Sequence, residues 1–253
     1  MNHTAPPVNS PAASIAPLQN VSRCVDALQW VIDKPAHINK IACLYGRSGL
    51  GKSSAAAYSV NRFNACYIEV KVTWNTKYFL AAIVNELGLS LARKSTPIPE
   101  LADMIAEELA LSGRPLIIDE FDYLIDKRNG VEVVRSLYDS CKTPILIIGE
   151  QNLESKLQRW EKFHNRVTRW VDAAPANLAD ARHLRNLYCR QVTVADDLLT
   201  KIVNECAGNT SRIAINLTNV EEYALQSGQT RIALDDWGNR PLFNGSARRR
   251  VAS

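Results

Sequence analysis

Two short stretches of this 253-residue chain hold residue types able to handle a phosphate. The first is Gly46-Arg47-Ser48-Gly49-Leu50-Gly51-Lys52-Ser53, with the spacing Gly-x4-Gly-Lys-Ser/Thr; it follows an apolar run that reads as a strand and opens a stretch that reads as a helix. Glycines let the backbone wrap so that consecutive N–H groups face inward, and a helix N-terminus adds partial positive charge, so an anionic phosphate is the natural guest. Lys52 is expected to reach the β and γ phosphates of ATP, the Ser53 hydroxyl to meet Mg²⁺, and Ser54 to belong with residues 46–53 to the nucleotide-binding loop. The second stretch, Leu116-Ile117-Ile118-Asp119-Glu120, ends an apolar run on two carboxylates. Asp119 is expected to hold the magnesium and Glu120 to polarise an attacking water. That pair favours hydrolysis over transfer to a small-molecule acceptor.

Both stretches need a scaffold, and the pattern of the chain supplies one. Apolar runs at Lys40–Tyr45, Ala65–Val70, Pro115–Asp119, Pro144–Gly149 and Val167–Val171 are short, bounded by Gly, Pro or charge, and read as strands buried on both faces. Helical patterns lie at Val21–Ile32, Lys52–Phe63, Lys77–Leu87, Glu100–Leu111, Val131–Cys141 and Asn152–Trp160. The expected architecture is an α/β, doubly wound, parallel five-stranded sheet over residues 21–175. After Pro175 the segments Asn177–Arg190, Ala195–Cys206 and Ser211–Gln226 read as helices with no further convincing strand, so residues 176–237 are expected to form a small all-helical lid. Residues 1–20 read as a flexible leader and residues 238–253 as a flexible basic tail.

Composition narrows the function classes. The net charge of +4 comes from 30 Lys and Arg against 26 Asp and Glu, and removing the tail's Arg240, Arg248, Arg249 and Arg250 leaves 26 against 26. The body is neutral, so an anionic partner must be gripped by local patches. No run is long and apolar enough to suggest a membrane span, and no secretory signal is visible, which points to the cytoplasm. The six cysteines have no CxxC spacing and sit in apolar runs, as reduced core thiols do, and the four histidines show no zinc spacing.

With GRSGLGKS, LIIDEFDYL, PILIIGE, NRVTRW and GNTSRIAIN in this order, the chain over residues 21–230 resembles the AAA+ ATPases. Its details look like the transposition-regulator branch, the phage Mu B protein and its TnsC-type relatives. The resemblance implies an AAA+ P-loop fold, a polar sensor at Glu150 or Gln151, and an arginine finger at Arg166 or Arg169, with Arg166 preferred, that enters a neighbouring subunit's site. It also implies a second sensor at Arg212, with Asn216 packing its helix. An in-trans finger requires self-association, and the family implication is ATP-dependent helical filaments on double-stranded DNA that recruit and stimulate a transposase, in the cytoplasm of a bacterial host.

The stretch Glu69–Lys77 offers Lys71, Thr73, Trp74, Asn75 and Lys77 with no acid nearby, and Lys127-Arg128 follows the acidic strand on what the reading takes as the same side. Such residues grip phosphates without reading base sequence. The alternative is a nucleotide-switched interaction ATPase, such as a helicase loader or a secretion-associated ATPase, in which DNA is incidental.

Overall fold

The computed structural model describes residues 18–90 and 96–245; residues 1–17 of the expected leader and 246–253 of the expected tail, with Arg248, Arg249 and Arg250, lie outside the described residues. The chain divides into two compact units, one over Gln19–Pro175 and the other including the described residues from Ala176 to Gly245.

The first unit runs α1 (Gln19–Ile32), β1 (Ile41–Tyr45), α2 (Lys52–Phe63), β2 (Cys66–Glu69), α3 (Thr76–Glu86), α4 (Ile98–Ser112), β3 (Leu116–Asp119), α5 (Asp122–Ile125), α6 (Gly130–Cys141), β4 (Ile145–Gly149), α7 (Leu153–Leu157), α8 (Glu161–His164) and β5 (Val167–Asp172). All five strands pair in parallel in the order β2-β3-β4-β1-β5. β3 and β4 are buried at every residue, which is why their sequences, up to the terminal Asp119 of β3, are apolar runs and not alternating ones. Alternate residues serve opposite faces. Ile41, Cys43, Ile118 and Ile147 join Phe79, Leu101, Ile105 and Val134 in one core, supplied by α3, α4 and α6. α1 and α2 pack together, and α1 lies against β1 and β5.

Register brings the carboxyl ends of the strands level. Glu69 pairs with Asp119, Tyr45 with Gly149, and Tyr45 with Asp172. In an open parallel sheet ligands bind outside those ends, so the phosphate-binding loop and the acidic pair share one edge.

Two expectations over this unit needed amendment, and one element was not expected. α1 begins at Gln19, so Gln19 and Asn20 belong to a helix and not to the leader. The helix expected over Asn152–Trp160 stops at Leu157, and a separate short helix, α8, begins only after Trp160, which stands outside helical geometry at φ −107° and ψ 58°. Asp122–Ile125 forms a four-residue helix too short to leave a periodic signal.

The second unit contains α9 (Leu178–Tyr188), β6 (Thr193–Val194), α10 (Asp196–Glu205), α11 (Thr210–Gln226), β7 (Arg231–Ile232) and α12 (Leu234–Trp237). It is not all-helical, since β6 and β7 pair in parallel. Two-residue strands carry no period-2 pattern, so the sequence could not announce them. α9 starts with a reciprocal capping box between Asn177 and Asp180. Among the described residues no helix is long and apolar enough to cross a membrane.

Leu28 is fully buried on α1. Leu28→Ala is expected to lower unfolding free energy by about 2–5 kcal/mol, measured by denaturant titration; an unchanged midpoint would mean that α1 is not part of the core.

Candidate functional site

The loop between β1 and α2 is built from its glycines. Gly49 and Gly51 stand at φ 81° and 82°, where a side chain would be strained, and Gly51 caps α2. Gly46 is excluded from change by space: a Cβ there would lie 2.9 Å from the Ala173 Cβ at the end of β5. Lys52 is buried, and its Nζ donates to the carbonyls of Gly46 (2.7 Å) and Arg47 (3.1 Å). An ammonium thus sits inside the loop, held by oxygens that a phosphate can displace or complement. Arg47, Ser48, Ser53 and Ser54 are exposed, and Leu50 is buried.

Asp119, at the end of β3, is almost wholly buried, and each of its oxygens accepts a hydrogen bond. Its Oδ1 accepts from the Glu120 N–H (2.8 Å) and its Oδ2 from the Tyr67 hydroxyl on β2 (3.0 Å). Burial and the adjacent Asp119 push the Tyr67 phenol up, so it stays a donor. Glu120 is held at φ 54°, a left-handed conformation for a non-glycine residue. Burial, then Asp119 and Glu150, raise its carboxyl above the ordinary range, and Lys52 pulls the other way. Lys52 and Glu150 are therefore electrostatic neighbours of Glu120.

A third acid, Asp122, completes this edge. Its Oδ2 accepts from the Glu150 N–H (2.7 Å) and its Oδ1 pairs with Lys156 Nζ (2.8 Å). A Cβ at Gly149 would lie 2.3 Å from that Oδ2, so the end of β4 must be glycine for Asp122 to reach it. Glu150 is half-buried there, and Gln151 is exposed. The donor set suits a magnesium–triphosphate group: an ammonium in a glycine nest, a hydroxyl at Ser53, and carboxylates at Asp119 and Glu120.

The other expected residues fare differently. Arg166 makes a two-pronged ion pair with Asp139 on α6, Nε to Oδ1 at 2.9 Å and Nη2 to Oδ2 at 2.8 Å, and also donates to the Lys162 carbonyl. Burial pushes the Asp139 carboxyl up, but bonds from Arg166 and Lys142 outweigh it and hold the group below its ordinary value. Arg169 is exposed, with its guanidinium 5.7 Å from the Trp30 ring. In the second unit Arg212 opens α11, its N–H held by the Asn209 side chain (3.0 Å). Asn216, buried, donates to the carbonyls of Arg212 (3.0 Å) and Phe243 (2.8 Å) and accepts from Phe243 N–H (2.7 Å). A Cβ at Gly245 would fall 2.6 Å from the Arg212 guanidinium, so this segment lies directly over that side chain.

The basic stretches do meet. Lys127 Nζ donates to the Val72 carbonyl (2.6 Å), and the Thr76 hydroxyl to the Arg128 carbonyl (2.7 Å). Lys77 and Arg128, both exposed, line a cleft of about 370 Å³ with Asn75, Ile98 and Val133. Two details correct the reading of the stretch. Lys71 is not free of acids but pairs with Glu69 at 2.5 Å, and Asn75 caps α3 by accepting from Tyr78 N–H (2.8 Å). Thr73 is exposed, and Trp74 is half-buried against the core and the Tyr78 ring.

Tyr67 and Asp122 were not singled out by sequence. Asp122 had a visible signal as the third acid in Asp119-Glu120-Phe121-Asp122, whereas nothing local distinguishes a strand tyrosine that caps a carboxylate.

Residues 37–157 match the family model described as an AAA domain. No curated protein matches the sequence. Among solved structures the chain is similar to the ORC2 protein of Aeropyrum pernix, solved in ADPNP–ADP complexes, at 14% identity and TM-score 0.72, covering 87% of this chain and 67% of that one. It is also similar to the Aeropyrum pernix ORC1 protein solved in complex with DNA, at 16% identity and TM-score 0.62, covering 86% of this chain and 62% of that one. A third is Cdc6p of Pyrobaculum aerophilum, at 15% identity and TM-score 0.63, covering 88% and 66%. The chain therefore spans about two thirds of the length of these proteins. Sheet order, phosphate-binding loop and these matches agree that the protein has the AAA+ P-loop NTPase fold.

Proposed function

We propose that the protein is an ATP-hydrolysing, DNA-binding AAA+ ATPase that self-assembles on duplex DNA and acts as a transposition regulator, engaging a transposase. The observation that carries the ATPase reading is the buried Lys52 ammonium held by Gly46 and Arg47 carbonyls, with Glu120 as its electrostatic neighbour and Asp119 beside Glu120 at the end of β3. Magnesium, when bound, would be held by Ser53 and Asp119 and would supply positive charge to the triphosphate. Lys52 binds the β and γ phosphates, and the Gly49–Gly51 backbone orients them. Glu120 orients the attacking water, with Asp119, Asp122 and the Glu150 backbone fixing the carboxylate's surroundings.

The DNA part rests on Lys71, Lys77, Lys127 and Arg128 being gathered at one patch by hydrogen bonds between their loops. It draws support from the similar ORC1 protein, which was solved with DNA. For a finger reaching a neighbouring copy, Arg169 is preferred over Arg166, because Arg166 is already committed to Asp139. The transposase partner rests on the motif resemblance.

Lys52→Ala is expected to weaken ATP binding about a hundredfold, the scale of a charge-assisted contact, by calorimetry; unchanged affinity would remove the nucleotide site. Glu120→Gln is expected to bind ATP normally while hydrolysis falls about 10²- to 10⁴-fold, in a phosphate-release assay. Replacing Lys71 and Lys127 together by alanine is expected to lower duplex affinity and to flatten the log–log salt slope by about 2; an unchanged slope would place DNA elsewhere.

A further inference from the structure

Asn20 is a polar residue on the apolar face of α1, and it is only 3% exposed. Its carboxamide nitrogen donates to the carbonyls of Leu50 (2.9 Å) and Ala174 (2.8 Å), and its oxygen accepts from the Ala174 N–H (2.9 Å). Its neighbours join the same segment: Gln19 Nε2 donates to the Pro175 carbonyl (2.7 Å) and Arg23 to the Asp172 carbonyl (3.0 Å).

Leu50 lies between the left-handed Gly49 and Gly51 in the phosphate-binding loop. A trans peptide is planar, so its C=O and the following N–H point in opposite directions. Drawing the Leu50 carbonyl toward Asn20 therefore turns the Gly51 N–H away from Asn20. In a nest that gathers N–H groups on an anion, that orientation decides whether the donor is available. The same carboxamide grips Ala174, next to the last residue of the Gln19–Pro175 unit, from which the chain continues into the second unit.

We infer that Asn20 is a positioning residue that sets the Leu50–Gly51 peptide for phosphate binding and couples occupancy of the loop to the backbone at Ala174. The inference rests on the nucleotide site proposed above. When a phosphate takes the loop's N–H groups, the Leu50 carbonyl is fixed, the Asn20 carboxamide is fixed with it, and the Ala174 amide is more firmly held.

The test uses the full chain with Mg²⁺ and ADP, and reads residue-level amide hydrogen exchange together with ADP affinity. In the wild type ADP is expected to slow exchange at Ala174 several-fold. Asn20→Asp keeps the acceptor for the Ala174 N–H but loses both donated bonds. It is expected to weaken ADP binding about tenfold or more and to abolish the response of Ala174 to ADP. Asn20→Ala is expected to lose the Ala174 protection outright, with or without ADP. A wild type that binds ADP while Ala174 is unresponsive overturns the coupling, whether or not either variant folds. An Asn20→Asp protein that binds ADP as the wild type does overturns the positioning role. A wild type that binds no ADP overturns the nucleotide site itself, and this inference with it.

Discussion

A backbone that gathers N–H groups around an anion must send its carbonyls elsewhere, and those carbonyls need partners of their own. In this protein the partners are identifiable. Lys52 takes the carbonyls of Gly46 and Arg47, and Asn20 takes that of Leu50. The loop is anchored behind by the near-contact of Gly46 with Ala173 and by the Gly46 N–H to the Gly149 carbonyl (3.3 Å). Removing any of these leaves a buried polar group unmatched or a peptide free to turn, each costly on the scale of a buried hydrogen bond.

Strand order then decides which groups meet the loop. β4 lies between β1 and β3, so Gly149 and Glu150 are wedged between the phosphate-binding loop and Asp119. Four acids, Asp119, Glu120, Asp122 and Glu150, are crowded along this edge. Like charges so close resist ionisation together, and the rise in the Glu120 carboxyl reflects it. Relief comes from Lys52 on one side and Lys156 on the other, and from the backbone N–H groups of Glu120 and Glu150. Asp119 and Asp122 spend their carboxylates on hydrogen bonds and an ion pair that fix the edge around Glu120.

Much of this was legible in the sequence because the relevant signals are local. Glycine spacing at 46–51 and acids ending an apolar run need no tertiary information, and the strands at Ile41–Tyr45, Leu116–Asp119 and Ile145–Gly149 fall where unbroken apolar runs place them. What escaped is tertiary. The Tyr67 hydroxyl meets Asp119 only because β2 lies beside β3, and Asp139 engages Arg166 only because α6 lies near the entry to β5. Asn20 is intermediate: stepping back four residues from Cys24 along the buried stripe of α1 lands on it, but an asparagine at the edge of a polar leader looks like surface. The paired strands Thr193–Val194 and Arg231–Ile232 were invisible because two residues make no pattern.

Glu120 stands where glycine would be more comfortable, at φ 54°. A non-glycine residue in that region carries a standing conformational penalty of about 1 kcal/mol. Laboratory evolution toward heat tolerance alone would favour replacing it, and under the role proposed for Glu120 the survivors of such a selection would be sturdier and inert. Retention of a carboxylate at this position, in any lineage or library grown under demand for turnover, would separate pressure on chemistry from pressure on robustness.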